Sequence, residues 1–438
     1  MLKRIAVLCC AVWLGARPSS AQEPTIPEQL TLSQSLAIAL ERNASLTAVR
    51  GDVDIAAADR VGARLRPNPA LTFDSEGYPL GRNAGPTFFN NQELTVRVDQ
   101  EIELGGRRGL RTRAADAAVE SAQARLENGR RLLTLDVQRA YFQAVLATAD
   151  RDVARASLQE IDQAIGLNRS RFEQGEISGG ELRRLQVERL RFVDDVFAAE
   201  LALRNARSAL LALMNVSNLG QPFDVTEPLA ANPTPTSPTA PGVLTAVLPG
   251  NIGVQAPALI ADAIARRPDV LAAQREVVRA DTQTRLQRAL RTPNLTIGGG
   301  YKRDFGTNAV VFGATVPLPF SNRNQGGVAR AEAERQQAAS RVRVAELVVR
   351  LDVQQAANAV DVNRERVQHI EREYLTTARE SRDIVLASYR LGAADLIDYL
   401  DAQRAFRDTV RTYNRALYEQ RISIFELAAA TALPLAQQ

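Results

Sequence analysis

Cysteine, histidine and aromatic side chains are scarce in this chain, and each scarcity closes off a class of chemistry. Both cysteines, Cys9 and Cys10, lie in an N-terminal segment with the marks of a cleaved leader, so the remaining chain holds no thiol, no disulfide and a single histidine, His369. Thiol catalysis, cysteine-type zinc sites and Ser-His triads are set aside on that count. No constellation of nucleophile, base and orienting group takes their place, so an enzyme is the least favoured class and no cofactor is expected. Aromatics make up only 5% of the residues, too few for a core built on large rings. A surplus of one charge is missing as well. Lys plus Arg number 54 against 50 Asp plus Glu, but Lys3, Arg4 and Arg17 belong to the leader, and 51 against 50 is no footprint for nucleic acid. Beyond the leader no run reaches 18 apolar residues, which excludes spanning helices and leaves spanning strands open. What the chain does have is bulk: 438 residues, 45% hydrophobic and 24% charged, with enough apolar material to fold.

The leader, residues 1–21, reads as a secretory signal peptide: Lys3 and Arg4, an apolar run from Ile5 to Leu14, then Ser19-Ser20-Ala21 as a small-residue cleavage site before Gln22. Export is therefore expected.

The rest is organised by a duplication with a period of roughly 216 to 226 residues. Leu36 to Leu46 matches Ile260 to Val270, and Pro67-Asn68 matches Pro293-Asn294. Ile102 to Arg107 then matches Leu318 to Arg323, and Phe172-Glu-Gln-Gly175 matches Tyr389-Arg-Leu-Gly392, with Gln186 and Gln403 each eleven residues past the glycine. This divides the chain into a first repeat over 22–219, a proline-rich linker over 220–256 and a second repeat over 257–438.

Each repeat reads helix, strand pair, long helix, turn, long helix. Thr31 and Gln34 form a capping-box pattern that opens a helical stretch to about Arg66. After each Pro-Asn corner the apolar period becomes two. Leu94, Val96 and Val98 alternate with Thr95, Arg97 and Asp99, while Val310, Phe312, Ala314 and Val316 alternate with Val311, Gly313 and Thr315. Their partners are expected over Pro69 to Pro79 and Asn294 to Phe305. Past Arg107 and Gln325 glycine and proline nearly vanish. Leu133, Ala140, Ala147, Ala154 and Ile161 fall at sevens, interleaved with Val137, Ala144, Leu158, Ile165 and Phe172. In the second half Val353, Val360, Val367, Tyr374, Ala378, Val385 and Tyr389 step by seven or four. About 65 residues between Arg107 and Phe172 make a rod of roughly 100 Å.

Four strands with one apolar face cannot close a barrel, since the smallest outer-membrane barrels have about eight. Open edges in hydrocarbon are costly, so several chains must contribute; two would supply eight strands and three would supply twelve. Gly298 and Gly300 on one face, with Arg97 and Asp99 on another, suit a wet interior.

The duplicated order, with its matched turns Phe172-x-x-Gly175 and Tyr389-x-x-Gly392, resembles the TolC family of outer-membrane efflux proteins over essentially the whole mature chain. The resemblance implies a mainly α fold with membrane β: a homotrimer whose four strands per chain make a twelve-stranded barrel in outer-membrane lipid, continued by an α-barrel of helical hairpins through the periplasm. It also implies a periplasmic adaptor docking at the turns near Phe172, Gly175 and Gly392, and an inner-membrane RND-type transporter. Two aspartates six and nine residues after the second turn glycine, Asp398 and Asp401, occupy the places of the family's closed entrance ring. Tyr389 matches its tyrosine latch, with Glu181 as the expected partner; Ala394 stands where some relatives carry an arginine. Gln100 to Arg108, with Pro317 to Phe320 and Arg323 to Gly326, resembles the cobalt-zinc-cadmium type of channel and suggests metal export. No residue reads as a metal ligand, His369 being expected on the surface. The same fold also serves drug efflux and type I protein secretion, and a periplasmic coiled-coil adaptor is the rival without a pore.

Overall fold

The computed structural model describes residues 26–77, 92–229, 252–304 and 306–433; the leader lies outside them. Its first helices grow directly from local signals. A two-residue strand, β1 (Gln29–Leu30), leads into α1 (Leu32–Arg42), where Thr31 accepts from the Gln34 amide and the Gln34 side chain accepts from the Thr31 amide. The helix expected to run on to about Arg66 is two helices, because Asn43 leaves the helical region (ψ 125°) and caps α2 (Ala44–Arg64). Its side-chain oxygen accepts from Leu46 while its Nδ2 donates to Leu213 O, far along the chain. Arg267 stands in the matching place between α5 (Ile252–Arg266) and α6 (Pro268–Ala289), where proline opens the second helix.

The four strands are β2 (Ala70–Glu76), β3 (Glu93–Ile102), β5 (Leu295–Asp304) and β6 (Thr307–Thr315), in one antiparallel sheet of order β2-β3-β5-β6. Register puts Leu71, Val98, Gly299 and Phe312 in one row, and Phe73, Val96, Tyr301 and Val310 in the next. Most of that face is open, Phe312 being 86% exposed and Leu71 72%. The opposite face corrects one expectation. Arg97 lies beside Gly300 and Asp99 beside Gly298, so the charges and glycines share a face. The reason is close approach: a Cβ on Gly298 would sit 1.9 Å from Asp99 Oδ1, and one on Gly300 would sit 2.1 Å from Val96 O. The missing side chains leave room for Arg97 and Asp99 to pair along β3 at 2.9 Å, with Thr72 of β2 donating to the same carboxylate. Among the described residues β2 and β6 each keep one unpaired edge.

Below the sheet run the hairpins. In the first, α3 (Arg107–Glu173) is an unbroken 67-residue helix, about 100 Å long, followed by α4 (Gly179–Leu213). The second consists of α7 (Gln325–His369), a π-helical turn (Ile370–Leu375), α8 (Thr376–Arg390) and α9 (Leu396–Thr431). The expected seams are largely buried, with Val137, Ala144, Ile161 and Val353 fully so. Tyr374 departs from its expected seam position and is 55% exposed, because the π turn winds an additional residue into the helix just there.

The core falls into several clusters, of which three are the largest. The largest gathers Tyr141, Phe142, Leu210, Leu211 and Met214 around the first repeat. Here the segment read as a linker is partly built into the fold: Phe223 and Leu229 are buried, and β4 (Asp224–Val225) pairs parallel with β1. Glu227 accepts from the Leu32 amide at 2.9 Å, and α5 begins at 252; residues 230–251 lie outside the described part. A second cluster packs α5, α6, α7 and α9, and a third, around Tyr389 and Tyr399, lies at the turn end.

Candidate functional site

Both hairpin turns close in the same way. Gly175 and Gly392 take φ +77°, the left-handed conformation that costs other residues about 1–2 kcal/mol. Gly175 donates to Phe172 O and Glu176 to Arg171 O; in the second turn Gly392 donates to Tyr389 O and Ala393 to Ser388 O. These are Schellman turns, and they make the matched motifs two copies of one device. Phe172 is 45% exposed and lies over Gly179 of its own turn, whereas its counterpart Tyr389 is buried.

That burial shapes the contacts of Tyr389. Tyr389 stacks on Tyr399 with ring centroids 4.9 Å apart and planes 7° from parallel. Its hydroxyl donates to Asn168 Oδ1 at 2.8 Å, inside the seam with α3. Burial raises the Tyr389 phenol above its ordinary pKa, and Tyr399 is pushed up to about 12, mainly by burial and then by nearby Glu160. Arg171 reinforces the join. Its guanidinium lies over the Tyr389 ring at 5.7 Å and donates to Tyr389 O at 3.3 Å and Arg390 O at 2.6 Å, at the carbonyl end of α8. The expected hydrogen bond from Tyr389 to Glu181 is absent. Glu181 is the third residue of α4, and its carboxylate accepts from the Ser178 amide while Ser178 Oγ accepts from the Glu181 amide. A capping box has engaged the carboxylate that the tyrosine was expected to find.

Asp398 holds the place in α9 that Glu181 holds in α4, third after an N-cap, with a different outcome. Its N-cap residue is Asp395, a second acid, and the shorter Asp398 side chain does not reach back. Asp398 therefore stays exposed, without a hydrogen bond or ion pair among the described residues. One turn on, Asp401 is exposed but not alone: Arg404 donates to it at 3.1 Å and is itself gripped by Glu188 of α4, whose side chain is only 11% exposed. Asp398 and Asp401 line one shallow depression with Ser381, Ser388 and Ala405. The two aspartates thus share a surface, with the charge of one offset and the other free.

The structure brings Tyr389, Asp398 and Asp401 to the same end of the molecule and leaves Glu181 in the neighbouring turn. Sequence reasoning missed Asn168, Arg171, Tyr399 and Arg404. Arg171 carried a readable signal, a basic residue in the last turn of a helix beside the Phe172 motif. Asn168 carried none, since a polar residue inside a seam looks like an interruption.

Comparison with known proteins matches this architecture. A family model described as outer membrane efflux protein covers residues 36–216 and 259–433. The chain is similar to the cobalt-zinc-cadmium resistance protein CzcC of Cupriavidus metallidurans, 27% identical over 387 residues, spanning 87% of this chain and 86% of CzcC. It is also similar to the nickel and cobalt resistance protein CnrC of the same organism, 26% identical over 322 residues, spanning 73% of this chain and 69% of CnrC. Among solved structures, the fold is similar to the open-state MtrE outer membrane channel of Neisseria gonorrhoeae (TM-score 0.73, 20% identity, 93% of this chain and 91% of that one). The outer membrane protein VceC of Vibrio cholerae gives a TM-score of 0.72 at 17% identity, over 92% and 96% of the two chains.

Proposed function

Since the chain belongs to the outer membrane efflux protein family, we propose that it is the outer-membrane duct of a tripartite pump that expels heavy-metal cations. As an efflux channel of the outer membrane it holds its strands in the bilayer and extends its helices into the periplasm. The observation that carries the reading is the union, in one chain, of a four-stranded sheet with an apolar face and two open edges and a helix of 67 residues beneath it. Hydrocarbon leaves no unpaired edge unpunished, so further copies close the sheet, and a homotrimer of twelve strands meets the size of a water-filled barrel. Exposed apolar rows support the same assembly: Val187, Leu190 and Phe197 on α4, Val344 and Leu347 on α7.

In this reading a periplasmic adaptor docks at the turns of Gly175 and Gly392, and an inner-membrane RND-type transporter drives the cargo and selects it. The metals named for CzcC and CnrC support a metal cargo. At rest the join of Tyr389, Asn168 and Arg171 holds the tip narrow, and a ring of Asp398 and Asp401 from the three copies favours cations. Docking breaks the join and widens the ring. Replacing both aspartates by alanine lowers cation selectivity and block by divalent ions in planar bilayers; unchanged selectivity removes them from the gate.

The cargo is tested by growth of a strain lacking the gene on two panels, one of heavy metals, one of dyes, detergents and hydrophobic antibiotics. Sensitivity confined to cobalt, zinc, cadmium, nickel or copper is expected. Sensitivity confined to the organic panel replaces the metal cargo by drugs, and no change in either moves the channel toward type I protein secretion.

A further inference from the structure

The two halves of the duplication are out of step by a single residue. Val137 and Val353, and Ala144 and Val360, buried in matching places of the two seams, are 216 apart, whereas Phe172 and Tyr389, Gly175 and Gly392, and Gln186 and Gln403 are all 217 apart. One residue has thus been added to the second path between that level and the turn. In a plain α-helix such an addition rotates everything beyond it by about 100°, which would throw Tyr389 out of the seam with α3. The structure shows where the residue went. The first path is one α-helix from Arg107 to Glu173, and the second winds its additional residue into the π turn Ile370–Leu375. Seam residues above it, Val353, Val360 and Val367, and Tyr389 below it, are all buried.

The turn lies at the thinnest level of the core. Among the described residues the buried cluster around it is small, Val367, Ile370 and Ala416, with Tyr413 and Leu417 packed against them, between the richer clusters at Val353 and at Tyr389. Its outer side is exposed: Glu371, Arg372, Glu373 and Tyr374 face solvent, with His369 pairing to Glu373 at 3.2 Å. A π turn is one of the few places where a long helix bends sharply. α9 passes the same level unbroken and can follow only by gentle curvature.

We propose that the π turn Ile370–Leu375 is the pivot about which α8 moves when the tip opens, while the unbroken α3 keeps the first hairpin fixed. This rests on the gating reading and adds to it the site of bending. Deleting Arg372 tests it directly, because it restores an α-helical turn and returns the second path to the step of the first, leaving the seam at Tyr389 aligned. The variant is expected to assemble and to keep the resting conductance and cation selectivity of the parent. It opens about tenfold less often in planar bilayers with adaptor present, since bending an unbroken helix gives up at least one backbone hydrogen bond. Deletion of Gln159 from α3, which has no π turn to absorb the change, is expected to abolish assembly. Normal opening by the Arg372 deletion overturns the proposal. Should that variant fail to assemble, spin labels at exposed positions 362 and 384 of the otherwise intact channel decide. Their separation shortens on opening if the turn is the pivot, and an unchanged separation overturns it. The gating reading fails separately, when replacement of Asp398 and Asp401 leaves selectivity unchanged.

Discussion

Replacing Tyr389 by phenylalanine removes one hydroxyl from the tip and leaves the ring, its stack on Tyr399 and the Arg171 guanidinium above it in place. What is lost is the 2.8 Å bond to Asn168, a residue only 4% exposed, whose oxygen then has no donor. A buried acceptor left unpaired costs about 1–3 kcal/mol. Taking the low end in each copy of the proposed trimer, opening together, gives about 3 kcal/mol, or about a hundredfold in the ratio of open to closed channels. The assay is open probability in planar bilayers, beside uptake of a bulky antibiotic that the intact outer membrane excludes. Glu181→Gln supplies the contrast. Glutamine serves a capping box as well as glutamate, so this variant stays closed although Glu181 was the latch partner expected from sequence. The double variant Tyr389→Phe with Asn168→Leu should open no further than the single one, because both remove the same bond. A channel that opens with Glu181→Gln as readily as with Tyr389→Phe refutes the reasoning.

Three further outcomes follow from the same structure. Arg267 is 2% exposed and ion-paired to Asp269 at 2.7 Å and Asp352 at 2.8 Å; truncating it to alanine should cost about 2–3 kcal/mol, read as earlier thermal loss of helical signal. That figure is below the usual range for a broken buried pair because the two carboxylates are 26% and 40% exposed. Gly300→Ala drives a Cβ into the backbone of β3 and should prevent assembly, whereas Gly298→Ala meets chiefly the movable Asp99 side chain, with Val98 O farther off at 3.2 Å, and should be milder; equal yields of assembled channel from both would contradict the close-approach argument. Because Tyr399 is raised to about 12, the native state holds its proton more tightly than the unfolded chain does. Its contribution is complete below pH 10 and lost as pH rises through 12, so heat stability should decline over that interval and Tyr399→Phe should flatten the decline.

Local grammar was legible in the sequence, and contacts between distant residues were not. The capping box at Thr31, the strand alternations, the Pro-Asn corners and the two turn glycines each depend on a few neighbouring residues, and each stands where its pattern indicated. The break at Asn43 is capped locally, its side-chain oxygen accepting from Leu46, but its amide also donates to a carbonyl 170 residues away, and no window of neighbours holds that contact. The sharing of one face by Gly298 and Asp99 is a matter of register between β3 and β5, which pairing sets and composition does not. At the tip the family likeness located Tyr389 and missed its partner. There the start of α4 and the Tyr389 hydroxyl were rival partners for one carboxylate, and the capping box holds Glu181.

The bare edges of β2 and β6 carry a consequence for how the cell makes this protein. A lone copy is unfit for the bilayer, because each edge offers a row of amides and carbonyls that only a sister chain can answer. Insertion and association therefore become a single event, and newly exported chains must meet one another before lipid will take them. A copy with a ruined edge is then worse than no copy. It enters partnerships and spoils them, so in cells that make sound and faulty chains together the yield of working ducts falls with the cube of the sound fraction in a trimer. The share of sound chains, more than their total number, then sets how many pores reach the surface.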